Sequence, residues 1–200
     1  MIPRLVAIAG CSGCGKTALA QSVQKRLVQC SVISLDSYYH PQSDRSLEER
    51  ASHNYDHPDA LEWSLIESHL LALLRGETIE VPEYLFDLHT RSVARRRVEP
   101  QHVVLVEGIH ALHRAEIRAL SALRVFVHTD PAECLRRRMD RDVADRGRTP
   151  AFVLEQYHRT VAPMAREYVL PSRAHARLVI SGEQKLADSV DAVLHALSIS

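Results

Sequence analysis

The chain has 200 residues, enough for one domain with a sizeable core, and we treat 1–200 as a single domain. Its 25 basic and 25 acidic residues balance, so the composition predicts neither a nucleic-acid partner nor a membrane surface as partner. No window approaches the roughly 20 apolar residues that cross a bilayer, and the amino-terminal apolar run is too short for a signal peptide. The four cysteines do not suggest a disulfide framework in so large a chain, and we expect a cytoplasmic protein.

Short apolar runs alternate with amphipathic segments in the first part of the chain. The runs at 4–10 and 31–36 predict buried strands, with an amphipathic helix over 16–29 between them. Residues 37–60 are polar with little regular signal, which predicts a long functional or mobile loop. A helix over 61–76 then ends at a glycine.

The same alternation continues to the carboxyl end. A small β-hairpin is predicted at about 78–98, and strands are predicted at 102–108, 123–129 and 176–181. Helices are predicted at 111–121, 131–147, 150–169 with a bend at Pro163, and 185–197. Strands that alternate with helices imply an α/β fold, with a five-stranded parallel sheet and helices on both faces.

The stretch GCSGCGKT, residues 10–17, fits two kinds of chemistry. Its C-x-x-C pair, Cys11 and Cys14, could bind a metal or cycle a disulfide. Its glycines and Lys16-Thr17 also match G-x-x-x-x-G-K-[ST], whose backbone N–H groups converge on phosphate oxygens. Because the stretch joins a predicted strand to a predicted helix, and no second ligand pair has zinc spacing, phosphate binding is favoured over zinc or redox chemistry.

This interpretation assigns nucleotide binding to the whole loop: Gly10, Cys11, Ser12, Gly13, Cys14, Gly15, Lys16 and Thr17. Lys16 would reach the β- and γ-phosphates of a bound nucleotide, and Thr17 would hold Mg²⁺. A nest of backbone N–H groups favours anions, so we also expect a lowered pKa and raised reactivity for the thiols of Cys11 and Cys14.

Two carboxylates end predicted strands. Glu107 closes the run VVLVEG, where P-loop proteins place an acidic residue that holds the metal. Asp36 closes the strand that follows the phosphate-loop helix, at the edge where parallel sheets bind ligands. Asp36 could accept a proton from an attacking hydroxyl, although a turn or helix cap is the alternative interpretation.

An arginine-rich segment at about 136–149 predicts a lid. Arginines that close over a transferring phosphoryl group stabilise its charge. The alternative is a solvated basic helix paired with Asp140, Asp142 and Asp145. The other basic run, RSVARRRV, is interpreted as a solvated hairpin edge.

Several longer stretches resemble the uridine kinase (uridine–cytidine kinase) family of P-loop kinases. They are LDSYY at 35–39, YDHPDAL at 55–61, YLFDLHTR at 84–91, VEGIHAL at 106–112 and RDVADRGR at 141–148. The resemblance spans about residues 5 to 195 and implies the three-layer nucleotide-kinase-like fold. It also implies ATP and Mg²⁺ as cofactors, a nucleoside acceptor and, weakly, a homo-oligomer of tetrameric type.

The resemblance also assigns roles to individual residues. Asp36 corresponds to the general base that activates the nucleoside 5′-hydroxyl. The implied nucleoside contacts are Asp56 and Arg138 at the ribose, Tyr39 and Tyr55 around the nucleoside, Tyr84 and His89 at the pyrimidine edge, and Arg148 and Gln156 on the lid side. Arg141 and Arg146 match lid arginines near the ATP phosphates, and Thr17 and Glu107 match the Mg²⁺ site.

The chain departs from the family pattern in three places. Leu85 stands where a polar residue commonly follows the tyrosine, ISGEQK lacks a Pro-Arg-Gly motif, and the phosphate loop contains two cysteines. The expected activity is ATP-dependent phosphorylation of uridine and cytidine. Kinases of nicotinamide riboside or ribulose 5-phosphate, and a catalytically silent nucleotide-binding regulator, remain alternatives.

Overall fold

The computed structural model describes residues 3–199, so that Met1, Ile2 and Ser200 of the predicted domain lie outside it. Its strands are β1 (Arg4–Ala9), β2 (Cys30–Ser34), β3 (Ile79–Leu85), β4 (Thr90–Val98), β5 (Val103–Glu107), β6 (Ser121–His128) and β7 (Leu178–Ser181). Five of them form a parallel sheet in the order β2-β5-β1-β6-β7, while β3 and β4 form an antiparallel hairpin.

The α-helices are α1 (Lys16–Arg26), α2 (Leu47–Ser52), α3 (Trp63–Leu74), α4 (Ala115–Leu120), α5 (Pro131–Arg146), α6 (Pro150–Gln156), α7 (Ala162–Met164) and α8 (Leu186–Ile199). Short 3₁₀ helices lie at Leu35–Tyr38, Pro58–Ala60 and Leu170–His175. In the described part of the chain, no helix is long and apolar enough to cross a membrane.

The parallel sheet is covered on both faces, as the predicted three-layer fold requires. Leu5 and Ala7 of β1 belong to a buried cluster that includes residues of α3 and α4. The alternate residues, Val6 and Ile8, belong to a second cluster that includes residues of α1 and α8. Successive side chains of a strand point to opposite faces, so apolar residues at both kinds of position bury the strand completely.

The predicted loop at 37–60 contains regular structure that apolar periodicity did not reveal. Helix α2 is held by a capping box, in which the Ser46 N–H donates to Glu49 Oε2 at 2.8 Å and the Glu49 N–H donates to Ser46 Oγ at 3.2 Å. None of its residues is buried, so it has no apolar face to detect. Asp36 lies in the 3₁₀ helix that follows β2, rather than at the end of the strand itself.

Two predicted helices differ in their internal structure. The helix expected at 111–121 forms only as α4, because residues 109–113 form turns and Ser121 already pairs with Leu5 as the first residue of β6. The segment 150–169 is helical throughout but has π-type hydrogen bonding at Tyr157–Val161 and Ala165–Val169, on either side of Pro163. Proline has no N–H to donate, which interrupts ordinary helical hydrogen bonding at this point.

Candidate active site

The phosphate loop lies at the carboxyl end of the central strand β1. Gly10, Gly13 and Gly15 all have positive φ angles, at 151°, 85° and 99°. A Cβ atom at Gly13 would lie 2.2 Å from the Cys134 carbonyl oxygen, so only glycine fits there. Helix α1 begins at this loop with no side-chain cap and no acidic residue in its first turn. Its N-terminal N–H groups therefore suit an anion such as phosphate.

Lys16 lies beside two carboxylates, Glu107 at the end of β5 and Asp36 in the 3₁₀ helix that follows the neighbouring strand β2. Although burial by itself lowers the pKa of Lys16, the negative groups around it, Glu107 and Asp36 among them, raise that pKa above its ordinary value. The ammonium group therefore stays charged. The strands meet at one edge of the sheet, which explains why residues far apart in sequence surround one lysine.

Thr17 and Glu107 form a donor set that suits Mg²⁺. The Thr17 hydroxyl donates to Glu107 Oε2 at 3.2 Å, and Glu107 is 3% exposed. Burial raises the pKa of Glu107, while the neighbouring Lys16 opposes the shift. A magnesium ion is commonly held by one or two protein oxygens plus phosphate oxygens and water, and the two side chains fit that requirement.

The two phosphate-loop cysteines do not have the properties expected from the sequence. Cys14 is fully buried, and its carbonyl oxygen accepts a hydrogen bond from the Thr129 hydroxyl at 3.0 Å. Burial raises the pKa of Cys14, and it raises the pKa of Cys11 to about 11. The expectation of lowered thiol pKa values is therefore wrong, because loss of solvent outweighs the attraction of Lys16.

Aromatic rings form one wall of the cavity beyond Asp36. The Tyr39 ring lies edge-on to Tyr55 and Tyr84, with both centroids at 5.2 Å, and its hydroxyl donates to Asp36 Oδ1 at 3.3 Å. The buried Tyr84 hydroxyl lies near that of Tyr55 but makes no hydrogen bond of ordinary geometry among residues 3–199. A buried hydroxyl without such a bond is available to a polar group of a ligand.

His89 is held at the turn between β3 and β4 by an unusual backbone. Its φ angle is 49°, in the left-handed region, where histidine is one of the better tolerated side chains. Its ring stacks on Tyr55 with centroids 5.5 Å apart, and its carbonyl oxygen accepts from the Tyr55 hydroxyl at 3.3 Å. Burial first, and then the nearby Arg148, lower the pKa of His89, so its imidazole is neutral at neutral pH.

Asp56 is a buried carboxylate with partners on several elements. Its Oδ2 accepts from the Thr160 hydroxyl at 3.0 Å, and its carbonyl oxygen is 2.8 Å from His110 Nε2. Burial raises the pKa of Asp56, while Arg138 and Thr160 oppose the shift. Burial also lowers the pKa of His110 to about 4, so this neutral ring donates its Nε2 proton to the Asp56 carbonyl. Nothing in the sequence pattern singled out Thr160, whereas His110 lies within the stretch VEGIHAL.

Four of the predicted lid arginines face the cavity. Arg138 donates to Ser12 Oγ and to Gln156 Oε1, each at 2.7 Å, which links the lid to the phosphate loop. Arg148 donates to the same Gln156 oxygen at 3.2 Å. The Arg146 guanidinium lies over the Phe86 ring at 4.2 Å from its centroid, which is a cation–π contact between lid and hairpin.

The amino-terminal end of the predicted lid behaves differently. Arg136 is exposed and pairs with Glu133 and Asp140, so at this position the alternative of a solvated basic helix is correct. Arg137 donates to Glu133 and to the Gly182 carbonyl oxygen at 2.9 Å. Helix α5 ends at Gly147, whose φ angle of 61° turns the chain toward Arg148.

One cavity of about 450 Å³ brings most of the predicted residues together. Those that line it are Ser12, Lys16, Thr17, Asp36, Tyr39, Tyr55, Asp56, Tyr84, His89, Glu107, Arg138, Arg141, Arg146, Arg148 and Gln156. Residues that line it without having been predicted include Phe86, Arg96 and Ile109. Phe86 carried a usable signal, since it lies within the same YLFDLHTR stretch as Tyr84 and His89.

Comparisons with known proteins identify the family and the fold of this chain. A family model described as the phosphoribulokinase / uridine kinase family matches residues 5–187. A uridine kinase of Halobacterium salinarum is 42% identical over 176 residues, 88% of this chain and 78% of that protein. A uridine kinase of Vibrio vulnificus is 40% identical over 194 residues, 93% of this chain and 91% of that protein. The structure of phosphoribulokinase from Rhodobacter spheroides has the same fold, with a TM-score of 0.64 at 16% identity over 90% of this chain and 70% of that one.

Proposed function

We propose that this chain, which belongs to the phosphoribulokinase / uridine kinase family, transfers the γ-phosphoryl group of ATP to the 5′-hydroxyl of uridine. The observation that carries the proposal is the single cavity described above. Its phosphate-binding end contains Lys16 and Thr17, its aromatic end contains Tyr84 and His89, and Asp36 lies on the wall between them. This order of groups matches a nucleoside whose 5′-hydroxyl faces the γ-phosphate of a nucleoside triphosphate.

Asp36 serves as the general base in this proposal. Its carboxylate accepts the proton of the 5′-hydroxyl as the oxygen attacks the γ-phosphorus, and the bond to the β–γ bridging oxygen breaks in line. Its Oδ1 already accepts from the Tyr39 hydroxyl at 3.3 Å, which fixes the orientation of the carboxylate and leaves the other oxygen for the substrate. Asp36 therefore combines positioning with proton removal.

Positive groups of this chain stabilise the charge that develops on the transferred group. The Lys16 ammonium is directed toward the β- and γ-phosphates, and Arg141 and Arg146 approach from the lid. Thr17 and Glu107 would hold Mg²⁺, and the ion would supply further positive charge to neutralise the phosphates. The aromatic wall and the lid exclude water, so that the hydroxyl of the nucleoside is the acceptor rather than a water molecule.

The aromatic end of the cavity supports a pyrimidine nucleoside as acceptor. The Asp56 carboxylate accepts hydrogen bonds from the two ribose hydroxyls, while Tyr55 offers a ring face to the base. A neutral His89 and the Tyr84 hydroxyl can each donate or accept. They therefore satisfy both the oxygen of uracil and the amino group of cytosine. We expect cytidine to be used within about tenfold of uridine, since one hydrogen bond contributes about 0.5–1.5 kcal/mol.

The acceptor is tested by steady-state kinetics with Mg·ATP on uridine, cytidine, adenosine, nicotinamide riboside and ribulose 5-phosphate. Uridine and cytidine should give the highest kcat/KM. A higher kcat/KM for any of the other three would refute the proposed acceptor. Nucleotide-dependent thermal stabilisation without turnover on any acceptor would instead favour a silent nucleotide-binding protein.

The roles of the two central residues are tested in the same assay. Asp36→Asn should lower kcat by about 10²–10⁴-fold, the usual effect of losing a general base. Lys16→Ala should abolish most turnover in a protein that remains folded. Asp188→Asn and Lys185→Ala make the same changes at exposed positions and should retain wild-type kinetics. A kcat for Asp36→Asn within a few-fold of wild type would exclude it as the base. The homo-oligomer implied by the resemblance stays a prediction, which light scattering can test by measuring the molar mass in solution.

A further inference from the structure

One buried carboxylate contacts all four arginines that face the cavity. Asp142 of α5 is 0% exposed. Its Oδ1 accepts from Arg141, with Nε at 2.8 Å and Nη2 at 2.7 Å, and lies 3.3 Å from Arg146 Nη1. Its Oδ2 accepts from Arg148 Nη1 at 3.0 Å and lies 3.7 Å from Arg138 Nη2. The lid arginines therefore share a single counter-ion.

The two oxygens of Asp142 divide the arginines according to their place in the cavity. Oδ1 holds Arg141 and Arg146, the pair assigned above to the phosphates. Oδ2 holds Arg138 and Arg148, which also share Gln156 Oε1 at 2.7 and 3.2 Å. One carboxylate thus connects the phosphate side of the lid with its nucleoside side.

The main chain of Asp142 also fixes the end of the lid helix. Its carbonyl oxygen accepts from the Gly147 N–H and, at 3.1 Å, from the Arg148 N–H. These bonds hold the turn that follows Arg146 and directs Arg148 back toward the cavity. Both the side chain and the backbone of one residue therefore set the position of the arginines.

The cluster has more positive than negative charge. Burial would raise the pKa of Asp142, but Arg138, Arg146 and Arg141 hold it below its ordinary value, so the carboxylate stays ionised. Burial, followed by the neighbouring Arg141, lowers the pKa of Arg146. Four guanidinium groups around one carboxylate leave an excess of positive charge in the cavity, which attracts an anionic ligand.

The division of the arginines allows an exchange of partners. Arg141 and Arg146 can turn their N–H groups from Oδ1 to phosphate oxygens, because Arg138 and Arg148 remain beside Oδ2. The buried carboxylate is then never left without a cation, which would be strongly unfavourable. With a single arginine as partner, the same exchange would leave Asp142 buried and unpaired.

We propose that Asp142 is a positioning residue for the arginine lid, which holds Arg141 and Arg146 beside the phosphate site and releases them to the phosphates of bound ATP. The proposal rests on the lid roles given under the proposed function. Asp142 itself is fully buried and is not among the residues that line the cavity. It competes with phosphate for Arg141 and Arg146 until ATP binds, and it orients both guanidinium groups beside the site to which they are released.

The test is the isosteric variant Asp142→Asn, which removes the charge but keeps an oxygen acceptor. A misplacement of about 1 Å can cost about 10²-fold in rate, and we expect a decrease in kcat of that order. Binding of a non-hydrolysable ATP analogue with Mg²⁺, measured by calorimetry, should tighten by about threefold or more, because a competing negative charge is gone. Structural damage alone would weaken both quantities.

The control is Asp140→Asn on the same helix. Asp140 is exposed, and within residues 3–199 its ion-pair partner is Arg136, which lies outside the cavity, so this variant should keep wild-type kcat and affinity. If Asp142→Asn does not fold, as judged by circular dichroism and thermal melting, Asp142→Glu is used instead. It retains the charge and shifts it by one methylene, and it should lower kcat while affinity for the analogue stays within about twofold.

A folded Asp142→Asn protein with kcat within about threefold of wild type, or with weaker analogue binding, would overturn the proposal. An unchanged kcat in Asp142→Glu, or a lower affinity of that variant for the ATP analogue, would also overturn the proposal. Failure of wild type to phosphorylate uridine would contradict the proposed acceptor instead. The calorimetric result would then still decide the role of Asp142, because it needs no acceptor.

Discussion

Replacement of Thr160 by valine tests how the buried Asp56 carboxylate is kept ready for the ribose. The Thr160 hydroxyl has one hydrogen and two acceptors within reach, Asp56 Oδ2 at 3.0 Å and the Gln156 carbonyl oxygen at 3.2 Å. The ionised carboxylate is the stronger acceptor. Valine has nearly the same shape, so Thr160→Val removes a donor from a carboxylate that is only 9% exposed and leaves the packing in place.

The expected effect follows from the strength of that bond. A hydrogen bond to a charged group contributes about 1.5–3 kcal/mol. One pKa unit corresponds to about 1.4 kcal/mol, so the pKa of Asp56 should rise by about 1–2 units. Burial has already raised this pKa above its ordinary value. Because the ionised form binds the ribose hydroxyls, activity is lost as the pH falls through this pKa, and a higher pKa moves the loss to higher pH.

The assay is kcat/KM for uridine as a function of pH at saturating Mg·ATP. In Thr160→Val the acid limb should move up by about 1–2 pH units, while kcat/KM on the plateau, where Asp56 is ionised in both proteins, should change much less. Thr78→Val makes the same change at an exposed position and should match wild type. An acid limb that stays in place, with KM for uridine unchanged, would refute the role given to Asp56.

Three further predictions concern the phosphate loop and the hairpin. Gly13→Ala places a Cβ atom 2.2 Å from the Cys134 carbonyl oxygen and should lower Tm by at least about 4–8 °C. The control is Gly76→Ala, where φ is 84° and no atom lies within 4 Å of the new Cβ, and its Tm should fall by less than half of that amount. Equal decreases in Tm would contradict the clash at Gly13. Because burial raises the pKa of Cys11 to about 11, iodoacetamide should label this thiol far more slowly than a free cysteine at neutral pH, as measured by mass spectrometry. Labelling at the rate of free cysteine would show that the phosphate loop is open in solution. His89→Ala should lower kcat/KM for both uridine and cytidine and leave KM for ATP within about twofold. If only KM for ATP changes, His89 lies outside the base pocket.

Much of the architecture could be predicted from local sequence patterns. Apolar runs of strand length alternate with amphipathic segments, and this alternation predicts the parallel sheet and its two helical layers. The spacing within 10–17 predicts the phosphate loop, since glycines are required wherever backbone N–H groups converge. Helix boundaries shifted by a few residues, and the polar helix α2 was missed, because neither is determined by apolar periodicity.

The resemblance to a family identified the candidate site more completely than patterns of residue types did. Asp36 and Glu107 could be proposed from their positions at strand ends, because parallel strands end at one edge of a sheet. Asp56, Tyr84 and His89 have no such local signal, and only the longer motifs around them singled them out. Even so, motifs give no distances, and the stacking of His89 on Tyr55 became visible only in the structure.

The sequence by itself determined the phosphate loop, the α/β alternation and the arginine-rich segment, because each is a pattern among residues close together in the chain. The tertiary structure alone decided how those residues act on one another. It buries Cys11 and Cys14, so that desolvation outweighs the attraction of Lys16. It brings the Thr160 hydroxyl to Asp56, and it places Asp142 among four arginines. Burial and charge pairing depend on groups far apart in sequence, and for that reason no local pattern contains them.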